Sequence, residues 1–507
     1  MKNGEEERTM KRGFVLGLVL ALLVPWPANA AGPKQLVVSQ AADAVTLDPH
    51  MEASQESAVV YRNVFDGLVS FPEKFEPVPA LATAWKQLDP LTWRFSLRKG
   101  VTFHNGEAFN ARGVKFSFDR IVDPTQKFPG STRLTAIKEV KIVDDFTIDI
   151  VTKEPYAPLL YIISLYMVIV PPDTVQQMGN AKFGQAGIGT GPYRVVKWVK
   201  DQELVLEANP KYWKGAPRVQ RLVFRPIPEE SARVAALQTG EADIITAVPP
   251  DRWKNLEQDK NTRITASAGT MLYMGLDTFH PPFNDVRVRR ALNHAVDVDT
   301  IISKILLGTA DRMNGPFFKS ALGYDKSIPF FRYDPALAKK LLAEAGYPNG
   351  FETVLSALPS QEGASKMLEV AETIAYQLGE VGVKVKIDTL EPATAFARYR
   401  NREFKMYFYT WPESPEPDRY LYTLFHSQAR GYYYKNAEAD KLLDRGRSTL
   451  NVDERRKIYE SLHRFLVQDA PWVFLYSQKT GYGVRHDVKF EAPWDNFMRL
   501  IEADVSR

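Results

Sequence analysis

The ten residues Tyr409-Thr410-Trp411-Pro412-Glu413-Ser414-Pro415-Glu416-Pro417-Asp418 place an indole, carboxylates and a hydroxyl on one proline-stiffened loop. Such a set suits the capture of a polar ligand. An indole offers a flat apolar wall and a carboxylate an anion. Proline fixes φ and carries no N–H, so the loop needs few backbone partners and loses little entropy when a ligand arrives. Phe404 to Tyr409 reads as a strand before the loop, and Asp418 reads as the N-cap of a short helix from Arg419 to Phe425. The loop then falls at the carboxyl end of a strand, where open α/β sheets bind ligands. A packed surface loop without a task fits the same residues equally well.

Three fragments match the order of a penicillin-binding or β-lactamase enzyme: Ser96-Leu97-Arg98-Lys99, Tyr434-Lys435-Asn436 and Lys479-Thr480-Gly481. That chemistry needs the Ser and the Lys one helical turn apart. Ser96 instead falls in an alternating strand pattern, where residues three apart face opposite sides. Gly187-Ile188-Gly189-Thr190-Gly191 superficially looks like a phosphate loop, but Pro192 to Val196 after it reads as a strand, so a turn is expected. The seven histidines (His50, His104, His280, His294, His426, His463 and His486) include no pair at i, i+3 or i+4, so no metal site is expected. No catalytic residue and no cofactor is expected either.

The elements that must position the loop alternate between strand and helix. Leu91, Trp93, Phe95 and Leu97 alternate with polar residues and run towards a hairpin turn at Asn105-Gly106; Phe146, Ile148 and Ile150 repeat the alternation. Phe351 to Leu358, a helical stripe through Met367, Val370, Ala371, Ile374 and Leu378, and the returning Val383, Val385 and Ile387 make a βαβ crossover. Another helix is fully punctuated, with Asp334 as cap, Pro335 in the first turn and Gly346 at the end.

The N-terminus reads as a secretion signal. Lys11 and Arg12 precede an apolar run from Phe14 to Val24 and the small-residue site Ala28-Asn29-Ala30, with Met10 as an alternative start. The 65 basic and 61 acidic residues lose four and three of their number with residues 1–30, leaving a net charge of +3. Nothing in that balance suggests a nucleic-acid surface. Cysteine is absent, so the exported chain carries neither disulfides nor a thiol for a lipid anchor. Export to a periplasm is expected.

Several fragments together carry a resemblance. They are Leu47-Asp48-Pro49, Val64-Phe65-Asp66-Gly67-Leu68, Pro79 to Trp85 running into Trp93 to Gly106, Gly189 to Tyr193, Asn209 to Trp213, Val288 to Leu292 and Ala338 to Tyr347. In number, order and spacing these resemble the extracellular solute-binding proteins of ABC importers, family 5, the oligopeptide, dipeptide and nickel type. The resemblance implies an α/β, two-lobed periplasmic binding protein fold of class II, with an inserted subdomain and a hinge between the lobes. The first lobe would comprise 31–74, 185–271 and 484–507, the insertion 75–184, and the second lobe 272–483.

What the resemblance implies for function is a periplasmic receptor that holds peptides or related small polar solutes in an interlobe cleft and delivers them to a membrane permease, as a monomer. An opine, a modified amino acid, a sugar or a metal chelate is the alternative ligand, and a secreted serine hydrolase the alternative class. In peptide-binding members this loop carries an aspartate that pairs with the ligand's α-amino group. Glu413 stands at that position, with Ser414 where a tyrosine is usual. Expected ligand contacts are Trp411, Glu413, Tyr409 and Tyr273, with Ser54 and Gln55 from the first lobe. Arg398, Arg400 and Arg430 are looser candidates for a ligand carboxylate.

Overall fold

The computed structural model describes residues 34–51, 54–71, 76–359, 363–429 and 433–507. The expected signal segment and Arg430 lie outside them.

Eleven strands share one hydrogen-bonded sheet. From one edge the order runs Val383–Thr389, Phe351–Ala357, Met406–Pro412, Thr262–Leu276, Trp472–Arg485, Ile244–Val248, Gln35–Gln40, Arg221–Pro226, Glu203–Ala208 and Tyr193–Val199, with Ala310–Arg312 also pairing to Trp472–Arg485. The expected βαβ unit is present: Phe351–Ala357 and Val383–Thr389 pair in parallel around the helix Met367–Glu380. Asp334 accepts from the Leu337 N–H at the start of the helix Pro335–Glu344. A separate four-stranded antiparallel sheet contains Thr92–Leu97 and Thr147–Thr152, the two alternating segments. Ser96 lies in that first strand, so the serine hydrolase spacing is not on a helix.

Two strands hold the architecture together. At fifteen residues Thr262–Leu276 is about 50 Å long, three times an ordinary strand. Its partner Trp472–Arg485 is nearly as long. At one end Val484, Gly483 and Gly481 pair with Ile244–Val248, which pairs in turn with Gln35–Gln40. At the other end Thr270 to Leu276 pair with Met406–Pro412. Between these ends the register of the two long strands shifts from Ala266↔Gly481 to Gly269↔Lys479. Such an irregularity bends a ladder and re-aims its side chains.

The apolar core divides on either side of that shift. One group joins Leu36, Val38, Val64, Phe224, Tyr482 and Leu500 into the first lobe. Two groups within residues 271–476 fill the second. The core around the four-stranded sheet begins at Leu68 and extends to Ile169, whereas Val170, Val175 and Phe183 pack into the first lobe.

The glycine run is a close approach rather than a phosphate loop. It follows the helix Pro172–Ala186, which Gly187 ends at φ 56, and precedes the strand Tyr193–Val199. A Cβ on Gly189 would stand 2.2 Å from the Val64 carbonyl oxygen, and Gly191 N–H donates to that same oxygen at 2.8 Å. Gly189→Ala is therefore expected to lower stability by about 1–3 kcal/mol, seen as a lower urea midpoint at unchanged slope. A midpoint equal to the parent's would remove the argument.

Candidate ligand-binding site

A cavity of about 470 Å³ opens where the lobes face each other. Its walls include the helix Gln55–Tyr61 with Arg62, the 129–133 turn, the helix Leu159–Tyr166, the long strands at Thr270 and Thr480, the 409–413 segment with Arg419, and residues 495–497 near the C-terminus. Side chains from both lobes thus close on one space of the size small-molecule sites have.

The strand expected over 404–409 runs instead from Met406 to Pro412, so Trp411 is held in the ladder, paired with Met271. Trp411 lines the cavity but is only 6% exposed, with the Arg133 guanidinium 6.0 Å from its ring. Glu413 lines the cavity at the register shift of the long strands. Its carboxylate accepts from the Gly269 N–H at 3.0 Å and from the Ser320 hydroxyl at 2.6 Å, while its own N–H donates to the Gly269 carbonyl at 2.9 Å. Burial raises the pKa of this carboxyl, and the bonds from Ser320 and Gly269 only partly offset it.

The rest of the loop faces the protein. Asp418 is not the helix cap, because the helix Asp418–Phe425 starts on it and Pro417 occupies the cap position. The buried Asp418 carboxylate instead takes both arms of Arg447, at 2.9 and 3.0 Å. Glu416 is likewise buried against Arg455. Ser414 is fully buried and its hydroxyl meets Tyr161 OH at 3.2 Å, a contact that joins loop to insertion.

Tyr409, Ser54 and Gln55 also line the cavity. Tyr409 stacks on Tyr399 at 4.9 Å. Ser54 caps its helix, accepting from the Ser57 N–H, and the Gln55 amide donates to the Asn496 carbonyl. Both therefore have structural duties beside any ligand contact. Tyr273 does not line the cavity: it is 1% exposed and stacks on Trp472 at 3.5 Å within the second lobe's aromatic core. Its ladder partner Tyr409 has its ring 6.2 Å away, and of the two it is Tyr409 that lines the cavity. Arg398 is tied to Asp388 at 2.7 Å, and Arg400 is exposed beside Phe396; neither reaches the cavity.

Sequence reasoning missed three arginines that do line it: Arg62, Arg133 and Arg419. All three act on Tyr166, whose OH accepts from Arg419 Nε at 3.2 Å. Burial alone would raise the Tyr166 pKa, yet the charges of Arg419, Arg133 and Arg62 bring it below its ordinary value. No spacing rule links positions 62, 133 and 419, so no sequence signal could have gathered them. Among the described residues no group of three or more His, Asp or Glu could hold a metal ion.

Residues 76–432 match the family described as bacterial extracellular solute-binding proteins, family 5 middle. The chain is similar to the glutathione-binding protein GsiB of Pectobacterium atrosepticum, at 31% identity over 505 residues, covering 95% of this chain and 97% of that one. It also resembles the ABC transporter-associated periplasmic binding protein DppA from Helicobacter pylori in complex with peptide STSA. That match has 30% identity and a TM-score of 0.81, covering 94% of this chain and 99% of the other. HbpA2 from Haemophilus parasuis matches at 28% identity and a TM-score of 0.84, covering 93% of this chain and 99% of that chain.

Proposed function

The chain belongs to the bacterial extracellular solute-binding proteins of family 5, and from that membership we propose that its interlobe cavity captures a small peptide-like solute for an ABC importer. It is the substrate-binding component of such an importer, and its place is the periplasm, reached through the N-terminal signal. It hands its ligand to membrane permease subunits and acts as a monomer without altering the ligand chemically. The names of the relatives, one glutathione-binding and one solved with a tetrapeptide, support a peptide-like ligand over an opine, a sugar or a metal chelate.

The observation that carries this reading is the cavity walled by both lobes around Glu413. Domain closure about the register shift in the two long strands encloses the ligand and excludes water from its polar contacts. Glu413 bonds to Gly269 at that shift, so the group offered to the ligand's ammonium also touches the hinge. Trp411 walls the ligand, and Ser54 and Gln55 supply polar contacts from the first lobe.

Calorimetry of the mature chain with glutathione and with free-amino di- and tripeptides tests the proposal. Saturable binding is expected, with thermal stabilisation that reaches about 2.7 kcal/mol at a ligand concentration of 100 Kd. Sustained turnover of a bound peptide would overturn it. Glu413→Gln should weaken a free-amino ligand by at least about 1.4 kcal/mol, a tenfold step, because the ammonium loses a desolvated anion. Unchanged affinity would take Glu413 out of the site.

A further inference from the structure

Several arginines of this protein meet a carboxylate, although buried Arg233 bonds only to the Ile227 and Pro228 carbonyls. Arg120 meets Asp48, Arg455 meets Glu416, and Arg499 meets Asp495, each ion pair within 4 Å. Arg62, Arg133 and Arg419 have no carboxylate within that distance among the described residues. Arg62 donates only to the backbone carbonyls of Ser164 and Leu165, at 3.2 and 2.6 Å, and its Nε has no partner. Arg419 donates to the Tyr166 phenol. Arg133 lies over two rings, 5.7 Å from the centre of Tyr166 and 6.0 Å from that of Trp411.

The acids that share the cavity make no direct ion pair with these three arginines among the described residues. Asp495 is taken by both arms of Arg499, at 3.0 and 2.7 Å. Glu413 is bonded to Gly269 and Ser320, and Glu56 sits on the first turn of its helix. Gathering three guanidinium groups in a partly desolvated space is unfavourable unless something compensates their charge. A guanidinium presents a planar fork that matches a carboxylate, and a charge-assisted bond of that kind is stronger than a neutral one.

We infer that Arg62, Arg133 and Arg419, gathered around Tyr166, form an anion subsite that selects peptide-like solutes carrying two carboxylates over those carrying one or none. The inference rests on the reading of this cavity as the solute site and adds its charge preference. Because Glu413 provides a single anion for one ammonium, the preferred ligand has one cationic and two anionic groups. The three arginines come from the first lobe, the insertion and the second lobe, so a dianion bridging them also helps hold the lobes together.

Three tripeptides of matched size provide the test: Glu-Ala-Gly with two carboxylates, Gln-Ala-Gly with one, and Gln-Ala-Gly amide with none. Calorimetry at fixed ionic strength should give at least about a tenfold loss of affinity at each step. Arg133 makes no hydrogen bond to the protein among those described, so Arg133→Gln removes charge with the least disturbance. This variant should abolish the preference for Glu-Ala-Gly while leaving the amide within about twofold and the melting temperature unchanged, and Arg133→Lys should restore part of the preference. Equal affinity for all three tripeptides overturns the subsite and leaves the solute-binding reading standing. Equal weakening of all three by Arg133→Gln does the same. Absence of binding by every tripeptide, with no thermal stabilisation, overturns both.

Discussion

Arg455→Met is expected to lower stability by about 3–5 kcal/mol, because it strands the buried Glu416 carboxylate. In the parent, Arg455 reaches both oxygens of Glu416, at 2.9 and 2.5 Å, and its Nε donates to the Gly446 carbonyl at 2.7 Å. Glu416 also accepts from the Asp418 N–H at 2.9 Å, which fixes the turn into the helix Asp418–Phe425. The loop that carries Trp411 and Glu413 is thus fastened to the helix Val452–Asp469 by this pair, and by Arg447 on Asp418 to the helix Ala437–Ser448. Urea unfolding should show the loss as a lower midpoint, and binding of a free-amino peptide should weaken as the loop loosens. The double variant Glu416→Met with Arg455→Met should recover much of the stability, since an apolar pair leaves no stranded charge. A single variant within 1 kcal/mol of the parent would show that the pair is solvated and that the loop is held by other means.

Acid should destabilise the protein through two histidines well before its ordinary carboxylates titrate. Burial lowers His50 to about 4 and His463 to about 3. His50 is locked in its neutral form: Nδ1 accepts from Arg120 at 2.8 Å, which leaves Nε2–H to donate to the Val168 carbonyl at 2.8 Å. His463 Nδ1 accepts from the Asp325 N–H at 3.1 Å, and its ring stacks on Phe317 at 4.5 Å. In the unfolded chain both rings titrate near 6.5, so below that pH the unfolded state binds protons that the folded state refuses. Their contribution is complete above about pH 6.5 and declines as pH falls towards 4 and then 3. The slope is about 1.4 kcal/mol per pH unit for each ring. Asp66 and Glu413, which burial raises, act in the opposite sense at the acidic end. The informative quantity is therefore the difference between parent and His463→Gln: unfolding free energies at pH 7 and pH 5 should show a shallower decline in the variant. Parallel pH profiles would show that His463 takes up its proton in the folded state.

Much of the scaffold was legible because its signals are local. The 351–357, 367–380 and 383–389 crossover showed its periods of 2 and 3.6 directly, and the cap of the 335–344 helix was written in Asp334 and Pro335. The site was less legible. Trp411 and Glu413 were recognisable by type and position, yet nothing nearby distinguishes Glu413 from Glu416, or shows that Asp418 serves an arginine rather than a helix end. Arg447 and Arg455 make those distinctions, from helices some thirty to forty positions further along the chain.

By itself, then, the sequence determined the class of fold and the alternation of its elements and pointed to the loop that lines the cavity, since hydrophobic period, turn chemistry and motif order are properties of neighbouring residues. The tertiary structure alone decided which of the loop's acids face the cavity, that Tyr273 belongs to the core, and that Arg62, Arg133 and Arg419 meet around one phenol. Those outcomes depend on how two long strands bring distant segments face to face, and packing of that kind has no period to be read along the chain.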